Sequence, residues 1–423
     1  MNSRRPIIAL ACIGAIIIAI LTFVPYSLTM VRQAGNTMAA AVQTSLRPEQ
    51  ASPAFEAELR RPIVPQYDVA TWYGSRGEEP EKHGVLIQTL GGKRVFASHN
   101  ADTTFNPASL AKLTVTLVAL KRLGPDYRFS TRVSTDGEVD GAGVLDGNLY
   151  LAGNDPSFGD ASANLIAKEL RARGITRIKG KLLAGPGFSF NYNEQAEKSA
   201  EFAARVMQLK QSATGMEEPR GDPLFVLHSN PLREILLYMN AHSNNFVADR
   251  LGAFLGGPQA IVHLLVEELK LSPEQVTLET ASGLYNNRMT PRGVLVVIKA
   301  LLEEAARHGL KSEDLLPVVG CDWGTVRRRM EGTGFECSLV GKTGTLTTTD
   351  GGMSNLAGVV FTRDGEPILF AILAQGNRIW EHKQMADQLL SETINGHQPA
   401  PLLEAGTRRQ LLPPNSLRVS SKQ

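Results

Sequence analysis

The hydrophobic and polar positions after residue 82 predict a β-hairpin followed by a helix. HGVLIQT at 83–89 and RVFAS at 94–98 are apolar segments separated by a Gly-containing turn, which is typical of paired antiparallel strands. NPASLAKLTVTLVALKRLG at 106–124 then predicts a helix that begins at Asn106, a side chain suited to an N-cap, and ends at Gly124. Apolar residues surround this helix almost completely, so we expect it to lie in a core.

The pattern changes in the middle of the chain. From 129 to about 190, short strand-like segments are broken by Gly and Asp, with a helix at 163–174 between them, which predicts a separate small α+β domain. Residues 194–222 are polar and Ala-rich, then Gly- and Pro-rich, and we expect them to return the chain to the first domain. Helical regions follow at 231–256 with a polar break at Ser243, at 261–270 and at 292–309.

The last part of the chain returns to strands. SLVGKTGTL at 338–346 and the apolar runs on either side of Asp364-Gly365 predict three strands, and 382–396 predicts a final helix. Elements from both ends can share one sheet covered by helices, with the middle inserted into it. The predicted order begins with a linker at 32–65 and ends with an irregular tail at 397–423. Between them lies a main domain in two parts, 66–128 and 226–396, with an inserted domain at 129–225.

Residues 1–31 differ from the rest because they carry no charge after Arg5. An apolar run of this length can span a membrane, and the positive charge before it favours an N-terminus in the cytoplasm. We therefore expect a membrane anchor through residues 6–31, with the rest of the chain exported. A cleaved signal peptide is the alternative, because the small residues of TMAAAV at 37–42 are typical of a cleavage site.

Composition and charge bear on several classes of function. Of 423 residues, 43% are hydrophobic and 20% charged, so most of the chain can fold around cores. A net charge of +2, without a dense basic run, gives no reason to predict nucleic-acid binding. No His/Cys cluster has metal-ligand spacing and HExxH is absent, so neither a metal nor a cofactor is predicted. Cys321 and Cys337 are either a disulfide pair or two small buried residues.

Gly341-Lys342-Thr343 could end a phosphate-binding loop, but its surroundings exclude this interpretation. The loop pattern requires a Gly at position 336, where this chain has Glu336. A carboxylate repels phosphates and lacks the backbone freedom of glycine. A strand-like run follows Lys342 where a helix should begin, so we reject a nucleotide site.

Ser109-Leu110-Ala111-Lys112 has the S-x-x-K spacing, the first of three motifs that together predict acyl transfer to a serine. On a helix, positions i and i+3 share a face, so Lys112 can serve as the base for the weakly nucleophilic Ser109 hydroxyl. The first helical turn also favours the negative charge that develops there. Lys112 needs a lowered pKa for this role, which burial and a second cation, Lys342, can provide.

Ser243-Asn244-Asn245 is an S-x-N motif at the predicted break between two helices. We expect Ser243 to relay a proton to the leaving amine. Asn245 is expected to hydrogen-bond the amide of the substrate.

The third motif, K-T-G, lies at 342–344 on a predicted strand. Lys342 and Thr343 would hold a terminal carboxylate, and Gly344 would leave room for an extended substrate beside the strand. The backbone N–H groups of Ser109 and Thr345 would form the oxyanion hole.

These motifs and the segment GVLDGNLYLAGNDPSF resemble the class C low-molecular-mass penicillin-binding proteins, over about 70–395. The resemblance implies a serine β-lactamase/transpeptidase-like α/β sandwich with an antiparallel sheet and an inserted α+β domain. It implies a D-alanyl-D-alanine carboxypeptidase or endopeptidase that acts on peptidoglycan stem peptides and is acylated by β-lactams. The predicted anchor, which departs from the family's usual cleaved signal, would hold such an enzyme at the inner membrane, facing the periplasm. Asp155, in the matching Asn-Asp-Pro, is expected to approach a free amino group of the substrate.

The sequence also departs from the family's pattern. Only 134 residues separate Ser109 from Ser243, fewer than in the large members of the family. The Ser282–Arg288 run, at the rim of the site, is one residue short and lacks the expected Arg. A β-lactamase or esterase on the same scaffold, or a non-catalytic peptidoglycan-binding protein, are the alternatives. The sequence does not choose between carboxypeptidase and endopeptidase.

Overall fold

The computed structural model describes residues 66–421, apart from 364, 405, 406, 412 and 414. The helices are α1 Val69–Gly74, α2 Lys112–Leu123, α3 Asp160–Ala172, α4 Ala196–Met207, α5 Leu232–His242, α6 Asn245–Phe254, α7 Gly257–Leu269, α8 Pro291–Arg307 and α9 Ile379–Thr393. The strands are β1 His83–Thr89, β2 Val95–His99, β3 Ser130–Thr135, β4 Glu138–Val139, β5 Val144–Asp146, β6 Leu149–Gly153, β7 Arg177–Ile178, β8 Lys181–Ala184, β9 Ala213–Met216, β10 Asp222–His228, β11 Val276–Thr277, β12 Arg288–Met289, β13 Leu339–Leu346, β14 Met353–Val360, β15 Ile368–Gln375 and β16 Arg418–Ser421.

The predicted membrane anchor at 6–31 and the linker lie outside the described residues. Within the described part, we find no helix with the length and apolar character that a membrane crossing requires.

A five-stranded antiparallel sheet with the order β13-β14-β15-β1-β2 is the centre of the main domain. Strands from both ends of the chain meet in it, since β1 pairs with β15 starting at His83 opposite Ala374. Successive side chains of a strand point to opposite faces. Phe370 therefore packs in the core below α1 and α9, whereas Leu369 packs in the core with α2 and α8. Helices cover both faces of the sheet, so the predicted α/β sandwich is confirmed.

Helix α2 runs through the larger of these cores. Every residue from Lys112 to Leu120 is buried, which agrees with the apolar pattern on all its sides. The predicted helix from 106 begins as a 3-10 turn at Ala108–Ala111, and the α-helix starts only at Lys112. The motif Ser109 therefore lies in the tight turn that precedes α2.

Five strands between α2 and α5, together with β16 from the C-terminal tail, form a second sheet with the order β16-β10-β3-β6-β8-β9. Helices α3 and α4 pack on it around a core of their own. Residues 194–222, predicted to lie in the inserted domain and to return the chain to the main domain, also supply α4 and β9. Their alanines line the buried face of α4, including Ala200 and Ala203, and β9 continues the sheet beside β8.

The tail at 397–423 was expected to be irregular, and this is wrong at its end. Strand β16 pairs antiparallel with β10 at the edge of the second sheet, with Val419 opposite Leu227. A four-residue strand has too little pattern to be read from sequence. It forms because the edge of β10 presents unpaired backbone groups to it.

Cys321 and Cys337 form a disulfide with their Cα atoms 5.3 Å apart, which decides between the two interpretations that the sequence left open. The tail lies against the loop that this bond closes. Leu402 donates its N–H to the carbonyl of Cys337 at 2.7 Å, and the guanidinium of Arg409 donates both to Asp322 Oδ1 at 2.6 Å and to Oδ2 at 2.5 Å. Asp322 is fully buried.

Replacing Arg409 with alanine should lower the free energy of unfolding by about 3 kcal/mol, because it leaves the buried Asp322 carboxylate without its cation. Chemical denaturation of the variant measures this loss. Arg408→Ala is the matched control, since this neighbouring side chain is exposed and should change stability by less than about 0.5 kcal/mol. Equal stability of the two variants would contradict the proposed importance of the Asp322 pair.

Candidate active site

The serine of the first motif is held by a strained turn. Ala108 has a φ of 49°, in the left-handed region, and its N–H donates to Asn106 Oδ1 at 3.0 Å. This bond secures the turn from its N-terminal side, which differs from the predicted N-cap of a continuous helix. Ser109 follows directly and is only partly buried, so its hydroxyl remains accessible.

Lys112 joins the first two motifs. Its Nζ lies 2.9 Å from Ser109 Oγ, 2.7 Å from Asn245 Oδ1 and 2.6 Å from the carbonyl oxygen of Ser282. The amide oxygen and the carbonyl can only accept hydrogen bonds. A neutral amine has two N–H groups, which these two acceptors take, so its lone pair faces the Ser109 hydroxyl. This arrangement makes Lys112 a suitable general base.

Burial lowers the pKa of Lys112 from 10.5 to about 7, and the charge of Asp249 acts in the opposite direction. Of the two causes expected, burial is confirmed as the one that lowers this pKa, whereas Lys342 is not among the groups that shift it. The repulsion appears at the other lysine. Burial, and then the charge of Lys112, lower the pKa of Lys342 well below its usual range.

The second and third motifs meet through Lys342, whose Nζ lies 3.0 Å from Ser243 Oγ and 2.8 Å from the carbonyl of Thr343. Ser243 has a φ of 54° and occupies the break between α5 and α6, as predicted. Asn244 caps α6 by accepting the N–H of Val247 at 3.0 Å. The left-handed turn thus directs the Ser243 hydroxyl toward β13.

Strand β13 is an edge strand, and its free edge continues toward the serine turn. Gly341 uses its N–H on this edge, donating to Pro317 O at 3.1 Å. Alternate residues of a strand direct their N–H and C=O groups to the same edge. Thr343 and Thr345, two and four residues further on, therefore direct theirs away from β14. This is the orientation that an oxyanion donor at Thr345 and a substrate backbone beside Thr343 require.

Gly344 has a packing role in addition to the one expected. A Cβ atom at this position would lie 2.5 Å from the carbonyl oxygen of Pro107 and 3.2 Å from the Cβ of Ala108. The missing side chain therefore lets β13 pack against the turn that carries Ser109, rather than leaving room for substrate alone. On the neighbouring residue, Thr343 Oγ1 donates to Thr325 Oγ1 at 2.6 Å.

An ion pair holds together the rim of the site, at the Ser282–Arg288 run. Arg288 donates to both carboxylate oxygens of Asp350 at 3.0 Å. Asn106 Nδ2 donates to the same carboxylate at 2.8 Å and to the carbonyl of Tyr285 at 2.7 Å. The Tyr285 ring is 59% exposed, which leaves an aromatic surface at the edge of the site. Arg288 is thus paired with Asp350, although the position of Arg288 departs from the spacing that is usual in the family.

Asp155 lies apart from the three motifs, directly after β6 in the second sheet. Its Oδ1 accepts from the N–H and hydroxyl of Ser157 at 2.8 and 2.7 Å. Burial raises its pKa to about 6, against the effect of these bonds. Its charge in turn contributes to the raised pKa of Tyr192, whose ring packs 5.9 Å from that of Phe246, next to Asn245. The contacts described above bring the three motifs together without Asp155.

Sequence reasoning missed the residues that support the motifs. Asp249 accepts the Ser282 N–H at 2.7 Å and so fixes the carbonyl that binds Lys112. Its position four residues after Asn245, on the same helical face, was a detectable signal. Thr325 carried no signal, because the disulfide loop brings it to β13 from a separate part of the chain. Gly283 has a φ of 88° where a Cβ would lie 1.9 Å from Ala108 O, so this loop packs directly on the serine turn.

Comparison with curated proteins finds relatives of low identity. The chain is 24% identical to Carboxypeptidase DacB of Mycolicibacterium smegmatis over 428 residues, which cover 86% of this chain and 92% of the relative. A D-alanyl-D-alanine carboxypeptidase of an Actinomadura species is 29% identical over 113 residues, covering 25% of this chain and 21% of that protein.

Two solved structures share the fold. A penicillin G-acylated predatory endopeptidase of Bdellovibrio bacteriovorus superimposes with a TM-score of 0.67 at 23% identity, covering 78% of this chain and 96% of that one. Penicillin-binding protein 4 (dacB) of Haemophilus influenzae, in complex with a β-lactam, gives a TM-score of 0.58 at 18% identity, covering 73% and 96%.

The model of one protein family matches most of the chain in two overlapping segments, 75–204 and 193–393. The first segment contains the S-x-x-K turn and the second contains the S-x-N and K-T-G motifs. The sheet, the serine turn and the motif contacts described above all lie within the matched residues. The chain belongs to the D-Ala-D-Ala carboxypeptidase 3 (S13) family.

Proposed function

We propose that this protein is a serine-type D-alanyl-D-alanine carboxypeptidase or endopeptidase that works through an acyl-enzyme at Ser109. The observation that carries the proposal is the position of Lys112 Nζ, between the Ser109 hydroxyl and two groups that can only accept hydrogen bonds. Because its pKa is lowered to about 7, this buried amine is neutral in about half of the molecules at pH 7 and can then take the serine proton.

In the acylation step, Ser109 Oγ attacks the carbonyl carbon between the two terminal D-alanines while Lys112 accepts its proton. The oxyanion that forms is stabilised by the N–H groups of Ser109 and Thr345. The proton that Lys112 accepted then passes through the hydroxyl of Ser243, which lies 3.0 Å from Lys342, to the nitrogen of the departing D-alanine as the C–N bond breaks, and Lys112 is neutral again. The product is an ester on Ser109 and a free amino acid.

Recognition of the substrate is assigned to Lys342, Thr343 and the free edge of β13, and deacylation to the base Lys112. We assign Lys342 and Thr343 to the terminal carboxylate, whose negative charge would stabilise the protonated form of Lys342 against the effect of burial. The substrate backbone adds to the free edge of β13 beside Thr343. In deacylation, Lys112 takes a proton from water, the hydroxide attacks the ester, and Ser109 recovers its proton.

The resemblance and the relatives supply the biological setting of the proposal. We assign peptidoglycan stem peptides as substrates and β-lactams as inhibitors, in line with the acylated neighbour. The membrane anchor at residues 6–31 would place the enzyme on the periplasmic side of the inner membrane. Asp155 would pair with a free amino group of the stem peptide, which lies at the side of the site lined by Tyr192.

Incubation with a fluorescent penicillin and with a stem peptide ending in D-Ala-D-Ala tests this function. We expect stable labelling of the protein and release of D-alanine. Rapid hydrolysis of penicillin without retained label would identify a β-lactamase, and absence of both would leave a non-catalytic binding protein. A cross-linked dimeric peptide distinguishes endopeptidase from carboxypeptidase activity. Acetylating the free amino group of the peptide should weaken turnover by the wild type but not by Asp155→Asn.

The rate of acylation should rise with pH through about 7. Lys112 acts as a base only when neutral, and its pKa is lowered to about 7, so the rate is expected to fall about tenfold per pH unit below that value and to level off above it. The second-order rate constant for penicillin labelling, measured on both sides of this pKa, provides the profile. A profile that rises only above about pH 10, as for an exposed lysine, would exclude Lys112 as the base.

A further inference from the structure

Glu78, His83 and His382 form a cluster on the face of the main sheet opposite to Lys342. His83 begins β1 and has the same parity as Val85 and Ile87, which pack toward α1 and α9, whereas Lys342 shares its face with Val340 in the core with α2. His382 comes from α9. The cluster is therefore separate from the Ser109 site.

The three side chains converge on one point. Glu78 Oε2 lies 3.3 Å from His83 Nε2 and 3.1 Å from His382 Nε2, and the three ligand atoms all lie within 4.8 Å of one another. Ligands bound about 2.0–2.1 Å from a tetrahedral ion are separated by about 3.3 Å. Two of the three separations already have this length, so an ion could be bound with small movements of the side chains.

The surroundings hold the side chains in this orientation. The His83 ring stacks on Tyr73 with centroids 3.7 Å apart and an interplanar angle of 11°. Arg378 donates to Glu78 Oε1 at 2.7 Å, which leaves Oε2 directed at the two imidazoles. The His382 ring packs against the backbone at Gly376, where a Cβ would lie 2.9 Å from ring carbon Cε1. These contacts fix the positions of the two rings and of the carboxylate.

Hydrogen bonding within the chain does not fully satisfy the cluster. Both rings are buried, with relative exposures of 0% and 2%, and the Nδ1 atoms of His83 and His382 have no hydrogen-bond partner among the residues that the structure describes. The contacts to Glu78 use the Nε2 atoms of both rings. The rings are thus held by packing, with their Nε2 atoms turned toward one carboxylate oxygen.

We propose that Glu78, His83 and His382 bind a divalent transition-metal ion, of which zinc fits best. Two imidazole nitrogens and one carboxylate oxygen favour zinc over magnesium or calcium, which prefer oxygen ligands. The role is structural, because the ion would connect the segment after α1 to β1 and α9, on the face away from the serine. No sequence motif indicates the site, since 299 positions separate His83 from His382.

Zinc binding to the untagged full-length protein, first stripped with a chelator, tests the proposal. Isothermal titration with ZnCl2 should give one equivalent bound to the wild type, and zinc should raise the midpoint of thermal unfolding. Cobalt should give the intense visible absorption of a tetrahedral site. Glu78→Gln and His382→Ala should weaken zinc binding by more than about tenfold. Glu78→Gln keeps the shape of the side chain and guards against misfolding.

Two controls define the outcome. His263→Ala removes an exposed imidazole on α7 and should bind zinc like the wild type, and Ser109→Ala should do the same because the site is independent of the serine. The proposal is overturned if the wild type binds no zinc, or if Glu78→Gln and His382→Ala bind it as tightly as His263→Ala. In that case the cluster is a hydrogen-bonded contact only.

Discussion

Replacing Ser109 with alanine is expected to abolish both stable penicillin labelling and release of D-alanine. The variant lacks the atom that forms the ester, and removal of the nucleophile in serine enzymes costs on the order of a million-fold in rate. The fold should be retained, because the change deletes one hydroxyl from a partly buried turn whose geometry depends on Asn106 and Ala108. Single-turnover labelling and a D-alanine assay measure the loss.

Ser312→Ala is the matched control for this experiment, since Ser312 lies in a surface 3-10 turn away from the motifs. It should label at the wild-type rate. Penicillin label that persists in Ser109→Ala would mean that another residue is the nucleophile. Loss of label in both variants would indicate damage to the protein rather than to the site.

Lys112→Met should reduce the acylation rate by about 10²- to 10⁴-fold, the usual contribution of a general base. Methionine has a similar length and brings no charge into the buried site, so the effect isolates the loss of the amine. Lys112→Arg should be impaired to a similar degree, because a guanidinium remains protonated in proteins and cannot accept the serine proton. The rate of penicillin labelling measures both variants.

A role as base and a role as positive charge predict different results for these variants. If Lys112 served only as a cation, the arginine variant would keep most of its activity and the methionine variant would not. Lys299→Met is the control, because this lysine is exposed on α8. Added small amines should partly restore labelling to Lys112→Ala if the missing function is proton transfer.

The positions of the three motifs follow from local patterns, and the structure confirms them. The apolar pattern around 112–120 places Lys112 inside a core helix, and a helix brings it to Ser109 whatever the rest of the chain does. Ser243 lies at a break between two helices, and Lys342 lies on a strand. In each case the residues that determine the local structure are neighbours in the sequence.

The contacts between motifs could not be predicted in the same way. Asn245 was expected to bind the substrate amide, yet its Oδ1 holds Lys112 across 133 positions. Gly344 was expected to serve the substrate, yet it permits the close approach of Pro107. These contacts depend on how helices and sheet pack together, and sequence periodicity carries no information on distances between separate elements.

The sequence by itself determined the sandwich of helices and sheet, the order of the motifs and the serine chemistry that they indicate, because hydrophobic periodicity and short spacings are local properties. Only the tertiary structure decided the Cys321–Cys337 bond, the pairing of β16 with β10 and the contacts of Lys112 with Asn245 and Ser282. Each of these depends on the distance between residues that are remote in the chain. The convergence of Glu78, His83 and His382 belongs to the same class, since β1 and α9 meet only after the two ends of the chain have joined in one sheet.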